Sequence, residues 1–300
     1  MSDQVSIAES VSNHPDGWRR YLHPRVAAIL LLGFSAGLPL LLIFATLSLW
    51  LTEAGVGRAA VTYFSWAALG YSFKFVWAPL VDKLPIPLLS ATLGQRRAWI
   101  LLAQLSVVSA IVLMAMSDPA SPQGLETMAL AAVFLGFSSA TQDIVIDAYR
   151  IEAVEKDLQA LMASSYVAGY RIGMLVAGAG SLYLADGLGT SSEQYRYSAW
   201  MWTYLAMALT MGVGIATTLV IREPVSRNPS TYLHGTLDYI RFVGGFGLFV
   251  SSFILSYQWL APIIESAKAS LFFVQWLPLT NDVAEPLNAF LAEAFRMTGS

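Results

Sequence analysis

Long apolar runs alternate with short polar connectors along most of the chain. Seven of these runs approach or exceed the ~20 residues that an α-helix needs to cross the hydrocarbon core of a bilayer. A helix satisfies its own backbone hydrogen bonds in lipid, so each run predicts a helix rather than a strand. The predicted spans are 26–51, 59–81, 98–116, 127–148, 160–185, 198–221 and 242–264. The pattern therefore predicts an all-α, polytopic membrane protein with seven transmembrane helices.

Composition agrees with a membrane protein and narrows its chemistry. Of the 300 residues, 56% are hydrophobic and only 12% are charged, against about 25% charged in soluble domains. The chain has no cysteine, which excludes disulfides and thiolate metal sites. All three histidines, His14, His23 and His234, lie outside the apolar runs, so a histidine proton relay is not expected. We expect no metal, no cofactor and no nucleic-acid partner.

Basic residues outside the runs predict how the chain is oriented. Eleven of them lie on the side of the N-terminus and four on the other side. Because lysine and arginine are enriched in cytoplasmic loops, the N-terminus is predicted to be cytoplasmic. The eleven are Arg19, Arg20, Arg25, Lys83, Arg96, Arg97, Arg150, Lys156, Arg222, Arg227 and Arg241.

Six spans followed by a basic connector are typical of one half of a carrier built from two helical bundles. We therefore predict a cytoplasmic tail at 1–25, a six-helix bundle at 26–221 and a cytoplasmic linker with an amphipathic segment at 222–241. A seventh span at 242–264 and a polar, amphipathic tail at 265–300 complete the prediction. The chain is expected to be truncated and to lack the C-terminal half of the carrier.

Two basic residues lie inside apolar runs, where a charge costs at least ~2.5 kcal/mol on insertion scales. In the second run, Lys74 shares a helical face with aromatic and small residues: Tyr63, Trp66, Gly70 and Trp77. Aromatic rings suit the apolar faces of sugars, and an ammonium group suits a carboxylate. Snorkelling of Lys74 to the surface, or a purely structural pairing, is the alternative interpretation.

The fifth run carries Arg171 near its middle, beside Tyr170. A guanidinium group can hold a carboxylate or phosphate with two hydrogen bonds, but a structural pair with an acid such as Asp143 is also possible. Two sets of small residues predict close helix packing in this run and in the first. They are Gly169, Gly173 and Ala177, and Gly33 and Gly37.

The fourth run ends in a polar stretch. Asp143 and Asp147 are one turn apart, and Arg150 follows on the same face. A buried carboxyl group can carry a proton, so both aspartates are candidates for proton coupling. The alternative is an interfacial network in which Asp147 pairs with Arg150. Gln142 offers a donor and an acceptor for sugar hydroxyls or amides.

Four segments of the sequence form a recognisable set: GFSAGLPLLLIFATLSLWLTEAGV at 33–56, KFVWAPLVDKLPIPLL at 74–89, FSSATQDIVIDAYRIE at 137–152 and YRIGMLVAGAGSLYLAD at 170–186. Together they resemble the AmpG-type muropeptide permeases of the major facilitator superfamily. The resemblance extends over about 31–221. It implies a multi-pass protein of the bacterial inner membrane that imports anhydro-muropeptides, using the proton gradient and alternating access.

The polar helical faces described above suit such a substrate. Lys74 and Arg171 would hold peptide carboxylates, Trp66 and Tyr170 would contact sugar rings, and Gln142 would bind amide or hydroxyl groups. Import of this kind feeds peptidoglycan recycling and β-lactamase induction. The alternatives are a related carrier for a siderophore or another peptide-like solute, and a receptor that does not transport. The chain lacks an obvious nucleophile–base set, so an enzyme is not expected.

A loop of the superfamily resembles the connector between the second and third runs. There Asp82 is followed by Arg96 and Arg97. By that resemblance the three residues form a cytoplasmic latch. Alternatively, the basic residues of this connector only set the orientation of the chain in the membrane.

Overall fold

The computed structural model describes residues 23–57, 64, 67–153, 156–224 and 236–269. Over these residues the regular secondary structure is helical, without a strand, which confirms the predicted all-α fold class. The helices are α1 (Pro24–Glu53), α2 (Ala67–Ser72), α3 (Lys74–Lys83), α4 (Leu89–Leu93), α5 (Gln95–Ala115), α6 (Pro122–Glu152), α7 (Leu158–Gly187), α8 (Tyr197–Val220) and α9 (Thr236–Ala269).

Five of the described helices, α1, α5, α6, α7 and α8, are long and apolar enough to cross a membrane. They correspond to the first, third, fourth, fifth and sixth predicted spans. The second predicted span contains two shorter helices, α2 and α3, separated at Phe73, whose backbone leaves the helical region (φ −102°, ψ 9°). The count of seven spans therefore stays a prediction.

The chain forms two compact units, residues 1–233 and 234–300. The first unit contains α1–α8, and the second contains α9. Helix α9 begins at Thr236, inside the predicted linker, and includes a short apolar stretch at Ile240–Phe249. Residues 270–300 of the predicted polar, amphipathic tail lie outside the described residues.

Helices α1 and α7 form the closest helix pair of the bundle. A Cβ atom on Gly33 or Gly37 would overlap the backbone carbonyl of α7, and one on Gly169 or Gly173 would overlap that of α1. The small residues of the two helices therefore face each other, as predicted from their spacing. Each helix also contains a π-helical turn, at Leu42–Thr46 and Val176–Gly180. The Thr46 hydroxyl of α1 donates to the Ala177 carbonyl of α7 (3.0 Å).

Glycines also permit the contact between α2 and α6. A Cβ on Gly70 would lie 2.7 Å from the backbone of Gly136, and the reverse substitution would overlap Ala67. This approach holds the short helix α2 against the middle of α6. The break at Phe73 follows three residues after Gly70, and α3 starts directly after it.

One end of the bundle, here called the near end, contains the start of α1 and the ends of α3, α6 and α8. The Arg25 guanidinium donates to the Ala153 carbonyl (2.7 Å), and the Tyr149 hydroxyl donates to the Arg222 carbonyl (3.1 Å). The opposite end, called the far end, contains the end of α1 and the start of α8. There Trp50 and Trp200 stack with 5.7 Å between ring centroids.

Candidate functional site

A buried carboxyl group, that of Asp143, interacts with charged and phenolic side chains of three helices. Asp143 is 8% exposed, and the Tyr166 hydroxyl donates to its Oδ1 (3.3 Å). The charges of Lys74 and Asp147 act on Asp143 electrostatically. We call Lys74, Asp143, Asp147, Tyr166 and Tyr170 the Asp143 cluster. It joins α3, α6 and α7.

The helix break at Phe73 determines where Lys74 lies in this cluster. Lys74 is the first residue of α3 and is half-buried. A positive charge at a helix N-terminus opposes the helix dipole, so this position favours a nearby anion. Lys74 nevertheless forms no ion pair with another described residue. Its ammonium group is near a carboxylate but is not held by one.

Tyrosines surround Asp143 on two sides. Tyr166 and Tyr170 of α7 lie 6.0 Å apart between ring centroids. Tyr71 of α2 hydrogen-bonds with Ser139, one turn before Asp143 on α6. Tyr71 and Tyr170 are both within electrostatic reach of Asp143. Phenol groups can bond both to a carboxyl group and to a polar ligand, so the surroundings suit a group that exchanges partners.

Arg171 follows Tyr170 on α7, and its side chain is exposed on this bundle. It interacts electrostatically with Tyr170. The alternative of a structural pair between Arg171 and Asp143 is not observed, because Arg171 makes no ion pair within the described part of the chain.

Asp147 has a different environment from Asp143. It forms an ion pair with Arg150 (3.1 Å), and its side chain is 45% exposed. This is the helix-end pairing that the spacing allowed. An exposed pair of this kind contributes little to stability.

The structure gives other partners to Gln142, a predicted site residue, and to Trp77, which was expected to share the helical face of Lys74. Gln142 is fully buried and donates to the Ser35 hydroxyl of α1 (3.2 Å). Its described hydrogen bond therefore joins two helices instead of extending toward Lys74. Trp77 donates to the Thr141 hydroxyl (3.1 Å) and lies against the Phe137 ring. Trp66 lies outside the described residues.

The predicted latch residues all make contacts at the near end. Arg96 is 3% exposed and forms an ion pair with Asp82 (2.6 Å). Its Nε and Nη2 also donate to the two oxygens of Glu152 (3.0 and 2.6 Å). Arg97 donates to the carbonyls at the end of α8, Thr218 (3.1 Å) and Leu219 (2.7 Å). The latch pairs thus connect the ends of α3, α5, α6 and α8.

Two acids of this network were not found from the sequence. Glu152 pairs with Arg96, and Glu223 accepts hydrogen bonds from the backbone N–H groups of Arg96 (2.8 Å) and Arg97 (3.0 Å). Glu223 therefore caps the start of α5. It packs against Gly94, whose positive φ of 91° suits glycine. Burial raises the pKa of Glu223, while the two N–H groups act in the opposite direction. Glu152 lies inside the segment 137–152 and could have been considered as the partner of Arg96.

The far end has its own polar contacts, which the sequence analysis also missed. One carboxylate oxygen of Glu53 accepts from the Thr190 hydroxyl and the Trp200 indole (both 2.8 Å). The Tyr195 hydroxyl donates to Asp118 (2.7 Å) and accepts from Trp50 (3.2 Å). Burial raises the pKa of Tyr195. Both ends of the bundle are thus closed by paired polar groups, with the Asp143 cluster between them.

Several apolar helices around a charged cluster indicate a membrane transporter, and known proteins support this class. A family model described as acetyl-coenzyme A transporter 1 matches residues 26–123. The anhydromuropeptide permease of Escherichia coli K12 is 36% identical over 211 residues, which is 70% of this chain and 40% of that protein. A Rickettsia felis protein described as a candidate transporter, AmpG 4, is 39% identical over 199 residues, or 66% of this chain and 45% of its own length.

The resemblance to AmpG-type permeases that four sequence segments indicated is therefore confirmed. Together with the apolar helices, these relatives support a multi-pass protein of the inner membrane. The chain spans less than half the length of the relatives it matches.

Proposed function

We propose that this chain provides the first helical bundle of a carrier that imports anhydro-muropeptides with protons by alternating access. The proposal rests most on one observation: Asp143 is buried and feels the charge of Lys74, which forms no ion pair with any residue that the structure describes. The relative from Escherichia coli named for this substrate supports the choice of cargo. We further propose that the N-terminus is cytoplasmic and that the remainder of the carrier completes the cavity.

In this mechanism Asp143 carries the proton. A proton that arrives from the far end binds a carboxylate oxygen of Asp143 and removes its negative charge. Lys74 is then no longer attracted by Asp143 and can bind a peptide carboxylate of the substrate. After the carrier opens to the other side, loss of the proton restores the charge of Asp143. Lys74 is drawn back and the substrate is released.

The other predicted residues have supporting roles in the proposal. Arg171 would bind a second carboxylate, and Tyr170 and Trp66 would contact sugar rings. Asp147 would pass the proton between Asp143 and the near end. Gln142 would position α6 through Ser35 and thereby orient Asp143, which follows it in the sequence.

We propose that Asp82, Arg96 and Arg97 form a latch that keeps the near end of the bundle together while the two halves of the carrier rock. Their partners come from three further helix ends or connectors, as Glu152, Glu223 and the α8 carbonyls show. A network of this kind moves as one body, which rocking of a bundle requires.

The test is uptake by the full-length carrier in membrane vesicles. Labelled anhydro-muropeptide should accumulate when a proton gradient is imposed and should not accumulate without one. A ferric siderophore and acetyl-coenzyme A, offered under the same conditions, test the other solutes. Accumulation of either in place of the muropeptide would refute the proposed cargo. Saturable binding without accumulation would indicate a receptor.

A further inference from the structure

A second polar cluster lies in the interior of the bundle, on side chains that α1, α5, α6 and α8 contribute. Its members are Ser35, Gln104, Gln142 and Thr218, here called the amide cluster, and all four are fully buried. Polar side chains at this depth need hydrogen-bond partners because neither lipid nor bulk water can supply them. None of the four residues is a member of the Asp143 cluster, and their hydrogen bonds do not depend on transport.

The hydrogen bonds of Ser35 fix the orientation of the Gln142 amide. The Ser35 hydroxyl donates to the Leu32 carbonyl (2.8 Å), so its single hydrogen is used. Toward Gln142 the Ser35 oxygen can only accept, and it does so from Nε2 (3.2 Å). The Gln142 Oε1 atom therefore points elsewhere, and it has no hydrogen-bond partner in the described structure.

The Gln104 amide also has one unsatisfied atom, whichever way it is turned. The Thr218 hydroxyl lies 2.9 Å from Gln104 Oε1 and 3.0 Å from the Gly214 carbonyl, but it has one hydrogen to donate. If Thr218 donates to Gln104, the Nε2 group of Gln104 is left without a partner among the described residues. If Thr218 donates to Gly214, its oxygen can accept from the Gln104 Nε2 group once the Gln104 amide is turned over, and Gln104 Oε1 is then the atom without a partner.

Gly214 shows that these atoms lie near one another. A Cβ atom placed on Gly214 would be 2.5 Å from the Ser35 hydroxyl oxygen and 2.9 Å from Gln104 Nε2. The Gln104 amide thus lies close to the hydroxyl to which Gln142 is bonded. The two residues that carry an unsatisfied amide atom, Gln104 on α5 and Gln142 on α6, thus both lie beside the Ser35 hydroxyl.

We propose that one water molecule binds in the amide cluster and bridges Gln104 and Gln142. Water can accept from Gln104 Nε2 and donate to Gln142 Oε1, or it can donate to both oxygens if the Gln104 amide is turned over. The water can therefore bond to the Gln104 amide in either of its two orientations. A direct hydrogen bond between Gln104 and Gln142 is possible in only one of them. Buried waters typically serve such otherwise unsatisfied polar groups. The bridge connects α5 to α6 and α1.

A structure of the full-length carrier at a resolution that shows ordered waters tests the proposal directly. We expect a single water within about 2.6–3.2 Å of both amide groups. A direct hydrogen bond between the two amides would overturn the proposal. So would the lack of a water peak in the cluster when other buried waters are visible.

Thermal unfolding of the full-length carrier provides a second test that needs no water density. Gln104→Leu should lower Tm by about 2–4 °C because the bridge loses one of its ends. The double variant, which combines Gln104→Leu and Gln142→Leu, should also have a lower Tm. Its decrease should be smaller than the sum of the decreases in the two single variants, because each substitution removes the same bridge. Additive decreases would contradict a shared water. Ser109→Ala is the control on the same helix, because among the described residues the Ser109 hydroxyl bonds only to the Leu105 carbonyl of its own helix (2.8 Å).

Discussion

The near end and the Asp143 cluster use the same types of charge in opposite ways. At the near end Arg96 is held by two carboxylates at 2.6 Å, and both oxygens of Glu152 are used. In the Asp143 cluster the one described hydrogen bond to Asp143 is 3.3 Å long, and Lys74 has no ion-pair partner among the described residues. Saturated pairs fix a structure, whereas a loosely held acid and an unpaired cation can change partners. The near end is therefore expected to be rigid, and the side chains of the Asp143 cluster are expected to exchange partners.

Removing the unpaired cation should have the largest effect on transport. Lys74→Leu is expected to abolish gradient-driven uptake by the full-length carrier, because no ammonium remains for the substrate carboxylate. Insertion should be retained, since leucine costs less in lipid than a charge. Uptake into vesicles and the amount of carrier in the membrane measure the two effects. Lys83→Leu, at the other end of α3, is the matched control and should retain most uptake. Near-normal uptake by Lys74→Leu would reduce Lys74 to a structural role.

Opening the near-end network should mainly affect stability. Arg96→Gln leaves Glu152 and Asp82 without their cation, and both are partly exposed, at 25% and 41%. We expect a loss of about 2–3 kcal/mol in the free energy of unfolding, at the low end for a broken buried pair. Denaturant unfolding of the carrier in detergent measures it. Arg97→Gln, which removes hydrogen bonds to backbone carbonyls only, should lose less. If Arg96→Gln and Arg97→Gln lose the same free energy of unfolding, the ion pairs of Arg96 do not stabilise the carrier more than the hydrogen bonds of Arg97.

Removing one hydroxyl from the Asp143 cluster should have the smallest effect. Tyr166→Phe deletes the hydrogen bond to Asp143 but keeps the ring beside Tyr170. A long hydrogen bond contributes about 1 kcal/mol, which corresponds to roughly a fivefold slower initial rate of uptake. Tyr170→Phe is the comparison, because the Tyr170 hydroxyl makes no hydrogen bond within the described part of the chain. A larger loss in Tyr170→Phe would identify Tyr170 as the important hydroxyl.

Much of the bundle was predictable from spacing alone. Five long apolar runs became membrane-length helices. The glycines of the first and fifth runs met because small residues four apart form a groove. The pairing of Asp147 with Arg150 followed from their separation within one turn of α6. These features depend on local periodicity, which a sequence displays directly.

Contacts between distant segments were not predictable in the same way. The break at Phe73 has no proline or glycine directly beside it, so no local signal in the sequence predicts it. Glu223 reaches Arg96 across 127 positions of the chain. Gln142 lies in the same polar stretch as Asp143, yet it is bonded to Ser35 of α1 in the interior of the bundle. A single sequence shows the polar residue but not the helix that it meets.

The most direct measurement of the central claim compares accumulation with exchange in Asp143→Asn of the full-length carrier. Asparagine keeps the size and hydrogen bonding of aspartate but cannot take up and release a proton. We predict that this variant fails to accumulate anhydro-muropeptide under a proton gradient but still exchanges labelled for unlabelled substrate across the membrane. Accumulation that remains intact and still collapses when the gradient is removed would contradict the account and place proton coupling outside the Asp143 cluster.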